Sequence, residues 1–243
     1  MQAAQARGWR GVVAHFRGCS GEPNRLPRAY FAGDSGDIDT LVQHIRSRAG
    51  ASRVYAAGVS LGGNALLKWL GEQGDLATHQ VDAAAAISAP MDLHASGNAL
   101  DRGFNRWVYT GHFLSTLKIK ALEKLNHHPQ LFDREKVSDA TTLREFDSLV
   151  TAPLHGYRDA DDYWTRASSK PGLLHIRVPT LLVNARNDPF LPAAALPTAA
   201  EVSPSVTLDF PEAGGHVGFV SSPFPGRLDW LTQRLLDFFE DAR

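Results

Sequence analysis

The feature that most narrows the fold is an alternation along the chain. Short apolar runs that stop at Gly, Ser, Asp or Asn are separated by stretches of helical periodicity, the pattern of an α/β domain with a mostly parallel sheet. Parallel neighbours need a long crossover, usually a helix, so the alternation and the parallel pairing come together. Four runs stand out: "RGVVAHF" (Arg10 to Phe16), "RVYAAGV" (Arg53 to Val59), "VDAAAAISAP" (Val81 to Pro90) and "VPTLLVNARND" (Val178 to Asp188). A weaker fifth is "SVTLDFPEAGGH" (Ser205 to His216). Between the first two, "DIDTLVQHIRSRAG" predicts a helix stopped at Gly50 and capped by Asp34 and Ser35. The last segment, "GRLDWLTQRLLDFFEDAR", predicts a closing helix with Leu228, Leu231, Leu235 and Phe238 facing the sheet.

The interval 93–177 breaks the alternation, since it holds helix-forming and aromatic residues but no strand pattern. It reads as a helical cap inserted into a single domain whose core is 1–92 and 178–243. Segments such as "GHFLSTLKIKALEKL" and "DATTLREFDSLVTAPL" are its expected helices. Its aromatics, Phe104, Trp107, Tyr109, Phe113, Tyr157, Tyr163 and Trp164, either form the cap's own small core or line an apolar acyl pocket.

A chain of 243 residues with a formal charge of -1 and dispersed charges presents no nucleic-acid surface. The single cysteine, Cys19, excludes an internal disulfide framework and fits a reducing compartment. No apolar run approaches the ~18 residues that span a bilayer, and "MQAAQARGWR" lacks the apolar core of a signal peptide, so a cytoplasmic protein with no membrane span is expected. His127 and His128 lack a partner at metal-ligand spacing, and Asp34, Asp37 and Asp39 read as charges at a helix start, so no metal is assigned. No glycine loop of the phosphate-binding kind is present, and no cofactor is expected.

The sharpest local signal is "GVSLG" (Gly58 to Gly62), a G-x-S-x-G match between the strand pattern "VYAAGV" and the helix pattern "NALLKWLGEQG". In a nucleophile elbow small flanking residues let the chain turn tightly and lift the serine oxygen clear. Gly62 and Gly63 are expected to let the helix pack close to the sheet. A serine that merely caps the helix is the plain alternative. A hydroxyl is a weak nucleophile near neutral pH, so Ser60 needs a base, and the base needs an orienting acid. In this fold the chain order is Ser, then acid, then His, each after a strand. Asp188 ends "PTLLVNARND" and His216 ends "FPEAGGH", where Gly214 and Gly215 permit an irregular loop. The other nine histidines lack that position.

"FRGCSGEPNRLPRAYFAGDSGD", "GVSLGGNALLKWLGE", "TTLREFDSLVTAPLHGY" and "PTLLVNARNDPFLP" together resemble the YheT-like branch of the α/β-hydrolases, over nearly the whole chain. The resemblance implies an α/β-hydrolase fold with a helical cap, a triad of Ser60, Asp188 and His216, and carboxylic-ester hydrolysis. Some eukaryotic members of the branch act on phospholipids. The implied partner is a small-molecule ester or lipid-like acyl substrate. The Leu61 amide is the expected oxyanion donor. The resemblance further implies N-terminal strands and a His-Gly-type oxyanion loop ahead of "RGVVAHF", and this sequence lacks them. Either Met1 lies inside a longer protein, or this is a shortened form missing one oxyanion donor, a loss of ~10²–10³ in turnover. "RGVVAHF" and "RVYAAGV" then pair directly or stay apart with a groove between them, and the groove is the expectation. Three functions follow: a serine esterase, a non-catalytic fold that binds an acyl ligand or a protein, and an acyltransferase using the same acyl-enzyme.

Overall fold

A computed structural model describes residues 1–50, 52–222 and 225–242. Four parallel strands, β1 (Tyr55–Val59), β2 (Ala83–Ile87), β3 (Thr180–Val183) and β4 (Val206–Asp209), lie side by side in that order. The register sets Val59 beside Ile87 and Val183 beside Asp209, so the carboxyl ends of all four strands reach one edge of the sheet.

β2 shows why the layers form. All five of its residues are fully buried, with Ala84 and Ala86 facing one core and Ala83, Ala85 and Ile87 facing another, as a strand covered on both faces requires. Its small side chains leave room for the helix Leu61–Gln73 to approach closely, and that helix buries Leu66, Leu67, Trp69 and Leu70 against the first face. Each such leucine contributes about 1.5–3 kcal/mol by leaving water. The helix Ser35–Ala49, ended by Gly50 at φ 58°, covers the same side through Val42. On the other face lies the closing helix, Trp230–Asp241.

Three expectations change here. Arg10 to Phe16 forms no strand: none of its residues joins a ladder, and Val12 and Val13 stand exposed. Trp9 packs on Tyr55 at the start of β1 (ring centroids 5.2 Å apart), while Phe16 comes near Gly62 just past its end. The segment therefore runs beside β1 without joining its ladder, so the direct-pairing alternative does not hold. β-propensity alone does not make a strand; it needs a neighbour's donors and acceptors about 4.8 Å away. Among the described residues β1 has a partner on one side only.

Asp34 does not cap its helix. Its carboxylate, 1% exposed, accepts from Arg28 (2.6 Å) and lies 3.9 Å from Arg17, so ion pairing takes the place of the cap. The closing helix begins at Trp230, leaving Leu228 exposed ahead of it; Leu231, Leu235 and Phe238 pack against the sheet as expected, and Leu236 and Phe239 are buried more deeply still. Aromatic stacking sets that rotation: Phe239 lies on Tyr55 (5.0 Å, 11°) and Trp230 on Phe219 (5.3 Å, 22°).

Between β2 and β3 the chain is helical, with two small cores. One gathers Leu114, Ala121, Val137, Phe146 and Val150; the other joins Tyr163, Trp164 and Ala152 to Ala32 and, at its rim, Phe31 and Leu61. Thr142 and Glu145 form a reciprocal capping box at one helix start, and Gly97 clears space for the Trp164 indole. No described helix is long and apolar enough to cross a membrane.

Two partly buried titratable groups in this region give opposed pH dependences. Asp147 accepts from Thr151 Oγ1 (2.6 Å) and Trp164 Nε1 (2.8 Å), yet burial raises its pKa from 3.8 to about 6. His155 stacks on Phe31, and burial, followed by the charges of Arg28, Arg17 and Lys124, lowers its pKa from 6.5 to about 4. The folded carboxyl holds its proton more tightly, so its contribution to stability is complete below the unfolded value and is lost as pH rises to about 6. The folded imidazole holds its proton less tightly, so its contribution is complete above 6.5 and is lost as pH falls to about 4. Between pH 4 and 6 the two slopes oppose each other. In thermal melts, His155→Phe should therefore gain stability relative to the parent on acidification through this window, and Asp147→Asn should lose it.

Candidate active site

Ser60 sits where β1 turns into the helix Leu61–Gln73, with φ 52° and ψ -123°, a conformation costly for a residue other than glycine. Strain of this kind costs about 1–3 kcal/mol and persists only where the surroundings enforce it. They do so here. The Ser60 N–H donates to Ile87 O of β2 (2.8 Å), and the Ser60 carbonyl accepts from the amides of Gly63 (2.9 Å) and Asn64 (3.2 Å). A methyl group on Gly58 would overlap the Gly62 carbonyl, and one on Gly63 would lie 2.9 Å from Ala89 Cβ. Gly63 and Gly58 thus make the close approach of helix and sheet. Gly62 does not share that task, since a methyl group there would lie a comfortable 3.9 Å from the Phe16 ring.

Asp188 and His216 follow β3 and β4, and the structure brings both to Ser60. His216 Nε2 lies 2.9 Å from Ser60 Oγ, and His216 Nδ1 lies 3.0 and 3.2 Å from the two Asp188 oxygens. The Asp188 carboxylate is fully buried and also accepts from the Phe190 amide (2.9 Å). Leu61 occupies the first helical position, where the N–H has no acceptor within the helix.

Three further residues shape the site without having been singled out in the sequence. Asn187 Oδ1 accepts from the amides of Gly214 (3.0 Å) and Gly215 (2.9 Å), fixing the loop that carries His216; Gly215 needs its positive φ of 59° there. Ser88, at the end of β2, donates its hydroxyl to the His216 carbonyl. Phe190 lies against the imidazole with ring centroids 4.1 Å apart, and Tyr109 and Phe113 meet Phe190 edge-on at 4.8 and 5.6 Å. The only signal available in the sequence was adjacency to Asp188 for Asn187 and Phe190, and a strand-end position for Ser88.

A model of the alpha/beta hydrolase fold family matches residues 1–223. The chain is 40% identical over 241 residues to YheT of Escherichia coli (strain K12), an inferred esterase, covering 98% of this chain and 70% of that protein. The chain belongs to the α/β-hydrolase family. Within it the sequence sides with the YheT-like branch, as its motifs implied. It is also 34% identical over 235 residues to phospholipase ABHD3 of Mus musculus, spanning 96% of this chain but only 56% of that one. Among solved structures, the esterase EaEST from Exiguobacterium antarcticum superposes with a TM-score of 0.56 at 16% identity, over 99% of this chain and 85% of that one, a likeness of fold. The α/β-hydrolase chain thus has esterase and lipase relatives. Among the described residues no group of three His, Cys, Asp or Glu side chains is placed to hold a metal.

Proposed function

We propose that this α/β-hydrolase is a serine esterase that cleaves carboxylic esters of small or lipid-like acyl compounds through an acyl-enzyme on Ser60. One observation carries the reading: the hydroxyl, the imidazole and the buried carboxylate are linked end to end at 2.9 and 3.0 Å. Ser60 Oγ attacks the acyl carbon while His216 Nε2 takes its proton; Asp188 holds the ring through Nδ1–H and stabilises the imidazolium. The carbon–oxygen bond to the leaving group breaks, and His216 returns the proton to the departing alcohol. Water then repeats the sequence on the acyl-enzyme and releases the acid. The Leu61 amide, helped by the positive end of its helix, donates to the oxyanion. In this reading 93–177 is the cap over a core formed by 1–92 and 178–243, and the lone Cys19 favours the cytoplasm.

A fluorophosphonate probe tests the reading directly. Labelling should map by peptide mass to Ser60 and vanish in Ser60→Ala, and a panel of p-nitrophenyl esters should release acid in parallel. A chain that melts cooperatively yet neither labels nor hydrolyses would instead be a ligand-binding member of the fold. Esters of added alcohols among the products would mark acyl transfer.

A further inference from the structure

The helical run that follows β2 turns an apolar face to water beside the candidate site. It comprises Gly103–Asn105, the π-wound turn Arg106–Thr110 and Gly111–Lys124. Phe104 is 74% exposed and Trp107 87%, and Val108 is exposed with them. Spaced i, i+3 and i+4, the three side chains share a face. A contiguous exposed patch of large apolar groups marks an interaction surface, whereas single exposed apolar residues do not.

The same run is basic. From 102 to 124 it carries Arg102, Arg106, Lys118, Lys120 and Lys124 against one carboxylate, Glu123, in a chain whose formal charge is -1. Arg106 donates to Thr141 Oγ1, Lys118 to Ser138 O and Lys124 to Leu26 O, so these cations meet neutral oxygens. The run also abuts the site: Asn105 Nδ2 donates to Pro189 O (2.9 Å), and Tyr109 and Phe113 hold the Phe190 ring that lies on His216.

We infer that this face docks on an anionic phospholipid surface, lying in the plane of the headgroups with Phe104 and Trp107 inserted and Arg102 and Arg106 against the phosphates. Aromatic and apolar side chains flanked by cations are what an interfacial helix presents to lipid. A second copy of this chain is the poorer occupant. In a two-fold dimer the patch meets itself, which would bring the arginines of both copies together. Docking here would set the Ser60–His216 pair beside the lipid. That delivery role rests on the esterase reading, but the docking itself does not.

Flotation of the Ser60→Ala chain with phosphatidylcholine vesicles, with and without phosphatidylglycerol, separates the two. The chain should float with the anionic vesicles, with a blue shift in emission that Trp107→Phe removes, and added salt should weaken binding. Phe104→Ala with Trp107→Ala should lower the bound fraction about tenfold or more. Arg102→Gln and Arg106→Gln should each lower it about fivefold on anionic vesicles only. Being at exposed positions, these variants should melt with the parent. Binding unchanged by the double aromatic variant, or no flotation at all, would overturn the proposal. So would a dimeric parent that the aromatic variant renders monomeric. An active-serine chain that hydrolyses no ester would sink the esterase reading and leave the flotation result standing.

Discussion

Ser60→Ala and His216→Ala should each lower turnover of a short-chain ester by about 10⁵–10⁶-fold, and Asp188→Asn by about 10⁴-fold. The ordering follows from the geometry. In the proposed relay the serine and the imidazole, 2.9 Å apart, exchange the proton directly, whereas Asp188 acts through His216 Nδ1, 3.0 Å away. Because the three act as one relay, the triple variant should be about as slow as Ser60→Ala alone. Any residual rate should come from the Leu61 amide and from binding. None of the losses should come from unfolding: the parent and the Ser60→Ala chain should melt within a few degrees of each other, since alanine keeps the strained backbone and loses one hydroxyl. A His216→Ala chain with near-normal turnover would show that another group is the base, and the reading of Ser60 as a relay-activated nucleophile would fail with it.

The largest expected loss of stability comes from a residue that never touches the reacting atoms. Asn64 is fully buried one turn after Ser60, and its amide is saturated by three distant backbone groups. Nδ2 donates to Ala32 O (2.8 Å) and Ala167 O (2.9 Å), and Oδ1 accepts from Ser169 N (3.0 Å). These contacts tie the loop before the helix Ser35–Ala49 and the end of the helical stretch to the helix behind the elbow. Asn64→Leu would leave two carbonyls and one N–H buried without partners, at about 1–3 kcal/mol each. Allowing for relaxation, the total should be about 3–6 kcal/mol, a fall in melting temperature of ~6–24 °C for a chain of this size. Differential scanning calorimetry checks it. A fall of only a degree or two would mean that water or a shifted backbone satisfies all three groups.

The alternation of strands and helices was readable from the sequence because it rests on local rules. An apolar run such as "AAAAI" followed by a helical pattern has few ways to bury itself, and parallel pairing follows from the crossovers. Gly58, Ser60 and Gly63 were legible for a related reason: a tight turn between strand and helix admits few residue types. The positions of Asp188 and His216 were readable as strand ends, because the sheet brings every carboxyl end to one edge. Only the tertiary structure decided the rest. Arg10 to Phe16 has the composition of a strand, but pairing depends on a neighbour, which composition does not contain. Asp34 has the position of a cap, yet Arg17 and Arg28 draw its carboxylate away. Phe238 and Phe239 both pack toward the sheet, and stacking on Tyr55, 184 positions earlier in the chain, buries Phe239 the more deeply. The aromatics between β2 and β3 divide in the same way: Tyr163 and Trp164 fill a core, Tyr109 and Phe113 hold Phe190, and Phe104 and Trp107 face water. Ser88 acts through one hydrogen bond to a backbone group 128 residues away, and Asn187 through two, to groups 27 and 28 residues away. Such contacts leave no periodicity in the sequence, because they depend on where two loops meet after the sheet has formed.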